Sequence, residues 1–166
     1  GIDYSRVFST VVKMSTLRLL LIIATKRKYF LSQVDIRQAF LQADIEGELY
    51  MRLPPGLPRF AADGGQLVAK LKKSLYGLKQ AGREFNIILV EFLEKVGFQR
   101  SIIDSCLLVK KVDTEVVSCL LYPVWVDDIV IASTSVESRK KFVEDLMQRF
   151  PIEEKDMESL VIGSWA

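Results

Sequence analysis

The segment VWVDDIVIA at residues 124–132 places two adjacent aspartates, Asp127 and Asp128, inside an otherwise apolar stretch. Short apolar runs of this kind are typical of buried strands. Two neighbouring carboxylates repel each other, however, and each is costly to remove from water. The pattern therefore predicts a hairpin whose aspartates lie at a solvated turn. Ordinary turn formation by Asp is the plainer interpretation of the same pattern.

A third carboxylate, Asp35, lies in another strand-like run, FLSQVDI at residues 30–36. If this strand lies beside the predicted hairpin, three carboxylates meet at the sheet surface, and a divalent cation is needed to neutralise them. Two Mg²⁺ ions roughly 3.5–4 Å apart would do so and would suit phosphoryl or nucleotidyl transfer. We then expect the carboxyl groups of Asp35 and Asp127 to lie within roughly 4–7 Å of each other.

The composition limits which catalytic groups and metal ligands the chain can supply. The 166 residues include no histidine and two cysteines, Cys106 and Cys119, which excludes His-ligated zinc, a histidine base and a Ser-His-Asp triad. Oxygen ligands favour Mg²⁺ or Mn²⁺. Residues 1–83 carry 14 Lys/Arg against 6 Asp/Glu, and residues 84–166 carry 9 against 15. This asymmetry indicates either a polyanionic partner or two ordinary solvated surfaces. The longest apolar run is too short for a membrane span.

The remaining patterns predict one α+β domain in which helices pack on a mainly antiparallel sheet. The predicted helices are one capped by Ser15 or Thr16, one over 80–96 followed by Gly97, and one over 136–149 with a capping box of Thr134 and Glu137. The predicted extended segments are 30–36, 47–53, 66–71, two strands within 105–124 around Asp113-Thr114, and short pieces after Pro151, with a helical turn at 37–43.

Four long motifs occur in order: GIDYSRVFSTVVKMSTLRLLL, VDIRQAFLQADIEGELYMRLPPG, LKKSLYGLKQAGREFN and WVDDIVIAS. Together they closely resemble the reverse transcriptase of copia-type LTR retrotransposons over essentially the whole chain. The resemblance implies RNA- and DNA-templated DNA synthesis by a right-hand polymerase fold, mainly the palm with part of the fingers. It also implies a partial reverse transcriptase domain, residues 1–166, within a Pol polyprotein. The early fingers strands, the thumb and the RNase H region are then expected outside this segment.

The resemblance assigns roles to individual residues. Asp35, Asp127 and Asp128 match the catalytic aspartates that hold Mg²⁺ or Mn²⁺, with the Ile36 carbonyl beside them. Phe40 matches the aromatic gate that rejects a ribose 2′-OH, and a core position is its alternative. The other implied nucleotide-binding residues are Arg37, Gly77, Lys79 and Gln80. The implied nucleic-acid-binding residues are Lys72, Lys73, Tyr76, Arg83, Trp125 and Gly163.

Several of these roles have plainer alternatives. Lys155 matches a lysine that donates a proton to pyrophosphate, but its acidic neighbours in the sequence make a surface ion pair an equal interpretation. An ordinary solvated surface is the plainer interpretation of five basic residues: Lys70, Lys72, Lys73, Lys79 and Arg83. Three acids that also match the family are interpreted as solvated: Asp44, Glu46 and Glu48.

Departures from the family pattern support a second hypothesis. Trp125 replaces a tyrosine, Pro123 lies where a strand needs its hydrogen bonds, and Thr10 and Gly82 replace prolines. Pro123, Trp125 and the expected absence of the flanking polymerase regions favour a degenerate or domesticated domain that binds nucleic acid without catalysis, whereas the intact aspartates favour a polymerase. A third hypothesis, an unrelated Mg²⁺ phosphohydrolase, explains the carboxylates alone.

The resemblance also sets the expected partners and location. The partners are a primed RNA or DNA template, deoxynucleoside triphosphates, and the integrase and RNase H of the polyprotein, with no membrane. The expected location is the cytoplasm, within a retrotransposon particle, or the nucleus.

Overall fold

The computed structural model describes residues 12–122 and 128–155. Its helices are α1 (Met14–Arg27), α2 (Ala81–Lys95) and α3 (Val136–Arg149), with a 3₁₀ helix at Ala39–Gln42. Its strands are β1 (Phe30–Ile36), β2 (Tyr50–Arg52), β3 (Val68–Lys70), β4 (Gln99–Arg100), β5 (Leu107–Val112), β6 (Glu115–Tyr122), β7 (Asp128–Ser133) and β8 (Ile152–Lys155). Among the described residues no helix is long and apolar enough to cross a membrane.

A six-stranded sheet forms the centre of the molecule, with strand order β4-β5-β6-β7-β1-β8. Every neighbouring pair in this sheet is antiparallel. Strands β2 and β3 form a separate antiparallel ribbon. The predicted α+β class with a central antiparallel sheet is therefore confirmed, and β1 spans the residues that its apolar pattern predicted.

The helices cover both faces of the sheet. Val117 of β6 and Phe142 of α3 line the same cavity, so α3 lies on the face to which Val117 points. Ser118 points to the other face and lines a groove with residues of α1. Ser118 pairs with Ala132 of β7, and Asp128 is four residues from Ala132. Asp128 therefore lies on the face that α1 partly covers.

The core on the α3 face is built around Phe150. Its ring makes edge-on contacts with Phe85 and Phe92 of α2, at centroid distances of 6.1 and 5.4 Å. The alternate residues Ile129 and Ile131 of β7 are also buried. Because Ile129 and Ile131 occupy one face, the residues that alternate with them along β7, including Asp128, are directed to the other face.

The predicted β5–β6 turn and the predicted bounds of α3 are confirmed, whereas the predicted N-cap of α3 is displaced by one residue. Asp113-Thr114 forms the β5–β6 turn, with Asp113 in the left-handed region at φ 53°. Helix α3 has its predicted bounds, but the predicted Thr134 capping box is wrong by one residue. The Oγ of Ser135 accepts from the Ser138 N–H at 3.1 Å. Thr134 instead accepts from the Val116 N–H at 2.9 Å, because it lies beside β6.

The predicted cap of α1 by Ser15 or Thr16 is also wrong. The helix begins at Met14, and a carboxylate distant in sequence, Asp104, lies at its N-terminus. Asp104 accepts hydrogen bonds from the Lys13 N–H at 3.1 Å and from the Thr16 Oγ at 2.6 Å. The Cys106 N–H donates to its other oxygen at 3.0 Å. Burial raises the pKa of Asp104, but these hydrogen bonds outweigh burial and hold that pKa below its ordinary value of 3.8.

We predict that Asp104→Asn lowers the free energy of unfolding by about 1–2 kcal/mol at neutral pH. A depressed pKa in the folded state gives stability that is present above pH 3.8 and is lost as the pH falls through the folded value. The difference from wild type should therefore shrink in acid. Urea unfolding at neutral and acidic pH, with Asp113→Asn as the surface control, measures it. A difference that does not change with pH contradicts this account.

Candidate active site

Two of the predicted catalytic aspartates face each other across the centre of the sheet. Asp35 of β1 and Asp128 of β7 are direct partners in the strand register, so their side chains share one face. Asp128 is 8% exposed. The expectation that β1 lies beside the strand that carries Asp128 is confirmed. Asp127 lies outside the described residues, so the predicted turn and the Asp35–Asp127 distance stay predictions.

A lysine bridges these two carboxylates. The Lys155 Nζ lies 2.5 Å from Oδ2 of Asp35 and 3.5 Å from Oδ1 of Asp128. Lys155 reaches the carboxylates because β8 pairs with β1, with Lys155 opposite Gln33 in the register. The hydrogen bond to Asp35 raises the pKa of Lys155, partial burial lowers it, and the charge of Asp128 raises it further, so the net direction is upward.

The two acidic residues that precede Lys155 in β8 have other partners. Glu153 pairs with Arg37 at 2.9 Å, and Glu154 pairs with Arg139. Among the described residues, Lys155 is paired with Asp35 and Asp128, and two further acids of its segment, Asp156 and Glu158, lie outside the described residues. Side chains alternate along β8, and Lys155 is directed to the same face as Asp35.

Gln33 is a site residue that the sequence motifs did not indicate. Its Nε2 donates to Oδ1 of Asp128 at 2.9 Å, and both side chains are buried. Its own Oε1 has no hydrogen-bond partner among the described residues. The available signal was its spacing, because a residue two positions before Asp35 in a strand shares the face of Asp35.

The donor set suits a hard divalent cation. Carboxylate oxygens are the ligands that Mg²⁺ prefers, and Asp35 and Asp128 present two carboxylates on adjacent strands. The Ile36 side chain has no ligand atom and is buried in the core, so any ligand from this residue would be its backbone carbonyl. Residues 12–122 and 128–155 contain no group of three or more His, Cys, Asp or Glu side chains that could hold a metal ion. Asp127 remains the predicted third ligand.

Phe40 lies five residues after Asp35, on the 3₁₀ helix that follows β1. The turn into this helix uses Gln38 in the left-handed region, at φ 54°. Phe40 is 8% exposed and belongs to the core, as its alternative interpretation predicted. Its ring meets that of Tyr76 edge-on, with centroids 4.3 Å apart. Because Tyr76 is 63% exposed, this aromatic pair joins the core to the surface.

A buried carboxylate, Glu84, holds the segment around Tyr76 in place, although no sequence motif indicated a role for it. The Ser74 hydroxyl donates to Glu84, and the Glu46 N–H donates to its other oxygen at 3.4 Å. The Ser74 N–H also donates to the Ala43 carbonyl at 3.0 Å. Glu84, in the first turn of α2, is thus bonded to Ser74, two residues before Tyr76, and to Glu46, six residues after Phe40.

Three acids interpreted as solvated are exposed, and each is paired with a basic residue. Asp44 lies 2.7 Å from Lys73, and Glu46 lies 3.9 Å from Arg83. The remaining pair is Glu48 with Lys70. Surface ion pairs of this kind contribute little to stability. The basic side chains can therefore exchange these partners for phosphate at small cost.

The remaining predicted binding residues have varied surroundings. Lys72 and Lys79 are exposed, whereas Gln80 is buried before α2 and its Oε1 has no hydrogen-bond partner among the described residues. Gly77 has φ 96°, which favours glycine. Trp125 and Gly163 lie outside the described residues, as do Thr10 and Pro123.

Comparison with known proteins identifies the family. Residues 1–163 match the family described as reverse transcriptase (RNA-dependent DNA polymerase). The chain belongs to the reverse transcriptase family. It is 37% identical over 160 residues to the retrovirus-related Pol polyprotein from transposon RE1 of Arabidopsis thaliana, an alignment that covers 96% of the chain and 10% of that protein.

Two further relatives agree with this membership. The Pol polyprotein from transposon RE2 of the same plant is 36% identical over 94% of the chain and 10% of that protein. The Pol polyprotein from transposon TNT 1-94 of Nicotiana tabacum is 33% identical over 98% of the chain and 12% of that protein. The resemblance to copia-type retrotransposon reverse transcriptases is therefore confirmed. The chain spans about a tenth of the length of these relatives.

We predict that Lys155→Met lowers the free energy of unfolding by about 1 kcal/mol at neutral pH. The variant leaves two facing carboxylates without their ammonium, so Mn²⁺ should raise its melting temperature more than that of wild type. A raised folded pKa gives stability that is full below the ordinary value of 10.5 and is lost as the pH rises through the folded value. Lys155→Met should lack this alkaline loss.

Thermal melting across pH, with and without Mn²⁺, measures both effects. Lys140→Met on the exposed surface of α3 is the matched control. A Lys155→Met protein with the stability and the alkaline profile of wild type would show that the bridge contributes nothing.

Proposed function

We propose that this chain is the palm, with part of the fingers, of a retrotransposon Pol reverse transcriptase, and that it carries out RNA- and DNA-templated DNA synthesis. The observation that carries the proposal is the direct pairing of Asp35 with Asp128 across two central strands. It occurs in a chain that belongs to the reverse transcriptase family and whose relatives are named Pol polyproteins. Because the chain spans about a tenth of those relatives, the activity of the whole protein is part of the proposal.

The aspartates are the proposed metal ligands. Asp35, Asp127 and Asp128, with the Ile36 carbonyl, would hold two Mg²⁺ or Mn²⁺ ions. When bound, such ions activate the primer 3′-OH and stabilise the charge on the departing pyrophosphate. Lys155 keeps its proton on Nζ beside Asp35, because its pKa is raised. A protonated amine at this position could donate a proton to pyrophosphate, although its raised pKa makes it a weaker acid than an ordinary lysine.

The aromatic pair and the surrounding loops are the proposed substrate contacts. Phe40, supported by Tyr76, would meet the sugar of the incoming nucleotide and exclude a 2′-OH. The other proposed nucleotide contacts are Arg37, Gly77, Lys79 and Gln80. The proposed primer–template contacts are Lys72, Lys73, Tyr76, Arg83, Trp125 and Gly163. Phosphate contacts supply most of the non-specific affinity for nucleic acid. Because the surface ion pairs of the basic residues are weak, these residues could bind phosphate instead.

The second candidate function is nucleic-acid binding without catalysis. Pro123 and Trp125, which depart from the family pattern, favour it. The phosphohydrolase hypothesis does not account for membership of the reverse transcriptase family. In either remaining case the proposed partners are the primed template and the rest of the polyprotein, including integrase and RNase H. The proposed location is a cytoplasmic particle or the nucleus.

We predict that the 166-residue chain alone extends a primer little or not at all and binds primer–template weakly, with affinity that falls steeply with salt. A misplacement of about 1 Å can reduce a rate roughly a hundredfold, and regions outside the chain are proposed to hold the primer and triphosphate in line. Adding the flanking polyprotein regions should produce extension with Mg²⁺ or Mn²⁺. Asp128→Asn should abolish it, and the surface change Asp113→Asn should not.

The outcomes separate the two candidate functions. Extension that survives Asp128→Asn contradicts the assigned chemistry. Absence of extension in the complete polyprotein, with activity restored by Trp125→Tyr and replacement of Pro123, would show a nucleic-acid-binding relic.

We also predict that Phe40→Leu raises ribonucleotide incorporation by about tenfold in the complete polyprotein. Leucine keeps the position apolar at a cost of less than about 1.5 kcal/mol, whereas Phe40→Ala should cost roughly 3–5 kcal/mol. Phe142→Leu, a buried ring on the α3 face, is the matched control. Primer extension with ribo- and deoxynucleotides and thermal melting are measured together. Equal sugar discrimination in wild type, Phe40→Leu and Phe142→Leu would assign Phe40 to the core alone.

A further inference from the structure

Four polar side chains meet on three neighbouring strands of the sheet. Gln33 and Asp35 lie on β1, Asp128 lies on β7, and Lys155 lies on β8. Gln33 is opposite Val130 on one side and opposite Lys155 on the other. It is therefore enclosed by paired backbone on both sides, and it is only 4% exposed.

Gln33 and Lys155 both donate to Oδ1 of Asp128, but they differ in distance and charge. The Gln33 Nε2 lies 2.9 Å from that oxygen, and the Lys155 Nζ lies 3.5 Å from it. An ammonium group competes with any cation that approaches the carboxylate, because both carry positive charge. A neutral amide donor does not compete in this way. Its hydrogen bond directs one oxygen of Asp128 and leaves the charge of the carboxylate available to a cation.

The fold alone gives little reason for glutamine at this position. The position is buried, and Oε1 of Gln33 has no hydrogen-bond partner among the described residues. An unpaired buried acceptor is unfavourable, and an apolar side chain of the same length would avoid it. The polar contact that Gln33 gains is the one to Asp128, a proposed metal ligand.

We propose that Gln33 is a positioning residue that orients the Asp128 carboxylate for divalent-cation binding, independently of the contact between Asp128 and Lys155. This inference rests on the proposed function, because it assigns Asp128 to a metal site. Hydrogen bonds to ligating carboxylates commonly change metal affinity 10–100-fold in proteins. The same dependence is expected here.

The test is an Mn²⁺ titration of the 166-residue chain, in which electron paramagnetic resonance measures free and bound Mn²⁺. Gln33→Met keeps the length of the side chain and removes the donor. It should weaken Mn²⁺ binding by about tenfold or more, while the melting temperature stays equal to that of wild type or rises. Gln33→Asn, whose amide is too short to make the same bond, should also weaken binding, and it serves if Gln33→Met does not fold.

Ser32→Ala is the matched control. Ser32 is the preceding residue on β1, is buried, points to the opposite face, and has an Oγ without a partner among the described residues. It should leave Mn²⁺ affinity unchanged. Equal losses of affinity and melting temperature in the Gln33 and Ser32 variants would assign Gln33 a merely structural role and overturn the inference.

Asp128→Asn separates this inference from the proposed function. Binding that Asp128→Asn removes, and that the Gln33 variants retain at wild-type affinity, overturns the inference and leaves the metal site in place. Wild-type binding no stronger than that of Asp128→Asn contradicts the proposed metal site, and the inference fails with it.

Discussion

The antiparallel pairing of β1 with β7 is the constraint on which the rest of the structure depends. This register places Asp35 opposite Asp128 and, one residue away, Val34 opposite Ile129. A shift by a single residue would turn the carboxylates into the core and the apolar side chains out of it. The burial of Val34 and Ile36 therefore fixes the position of the carboxylates. The same core that stabilises the domain holds two like charges face to face.

Holding those charges requires compensation, and the strand after α3 supplies it. The Arg37 N–H donates to the Pro151 carbonyl at 2.8 Å, so β8 begins beside the end of β1. Along β8 the acids pair with arginines elsewhere, and Lys155 reaches both aspartates. The Lys155 ammonium compensates the charge of both carboxylates, whereas the neutral Gln33 amide donates a hydrogen bond to Asp128. The two donors act on the same oxygen of Asp128 in physically different ways.

The sequence predicted features that depend on local spacing and missed those that depend on distant partners. The apolar pattern gave β1, the Asp113-Thr114 turn and the bounds of α3, because each is set within a few residues. The partner of Lys155 lies 120 residues away, and Asp104 caps α1 from 88 residues beyond Thr16. Single-sequence patterns carry no information on such contacts. The choice of Ser135 over Thr134 as a cap was likewise decided by the neighbouring strand β6, to which Thr134 is bonded.

The parts of the candidate site differ in how firmly the fold holds them, and this difference matches the proposed work of each part. The carboxylates lie on central strands, where paired backbone on both sides prevents small displacements. Phe40 lies on a short 3₁₀ helix, and its neighbour Tyr76 depends on the link from Ser74 to Glu84. Beyond them, the exposed acids Glu48, Asp44 and Glu46 form ion pairs with Lys70, Lys73 and Arg83, and solvent screens such pairs. Metal ligands need a fixed geometry. A residue that selects the sugar needs a well-defined position next to the nucleotide. A nucleic acid that moves after each nucleotide addition needs contacts that form and break readily. The proposed templated synthesis would therefore require a rigidity that decreases from the sheet to the loops.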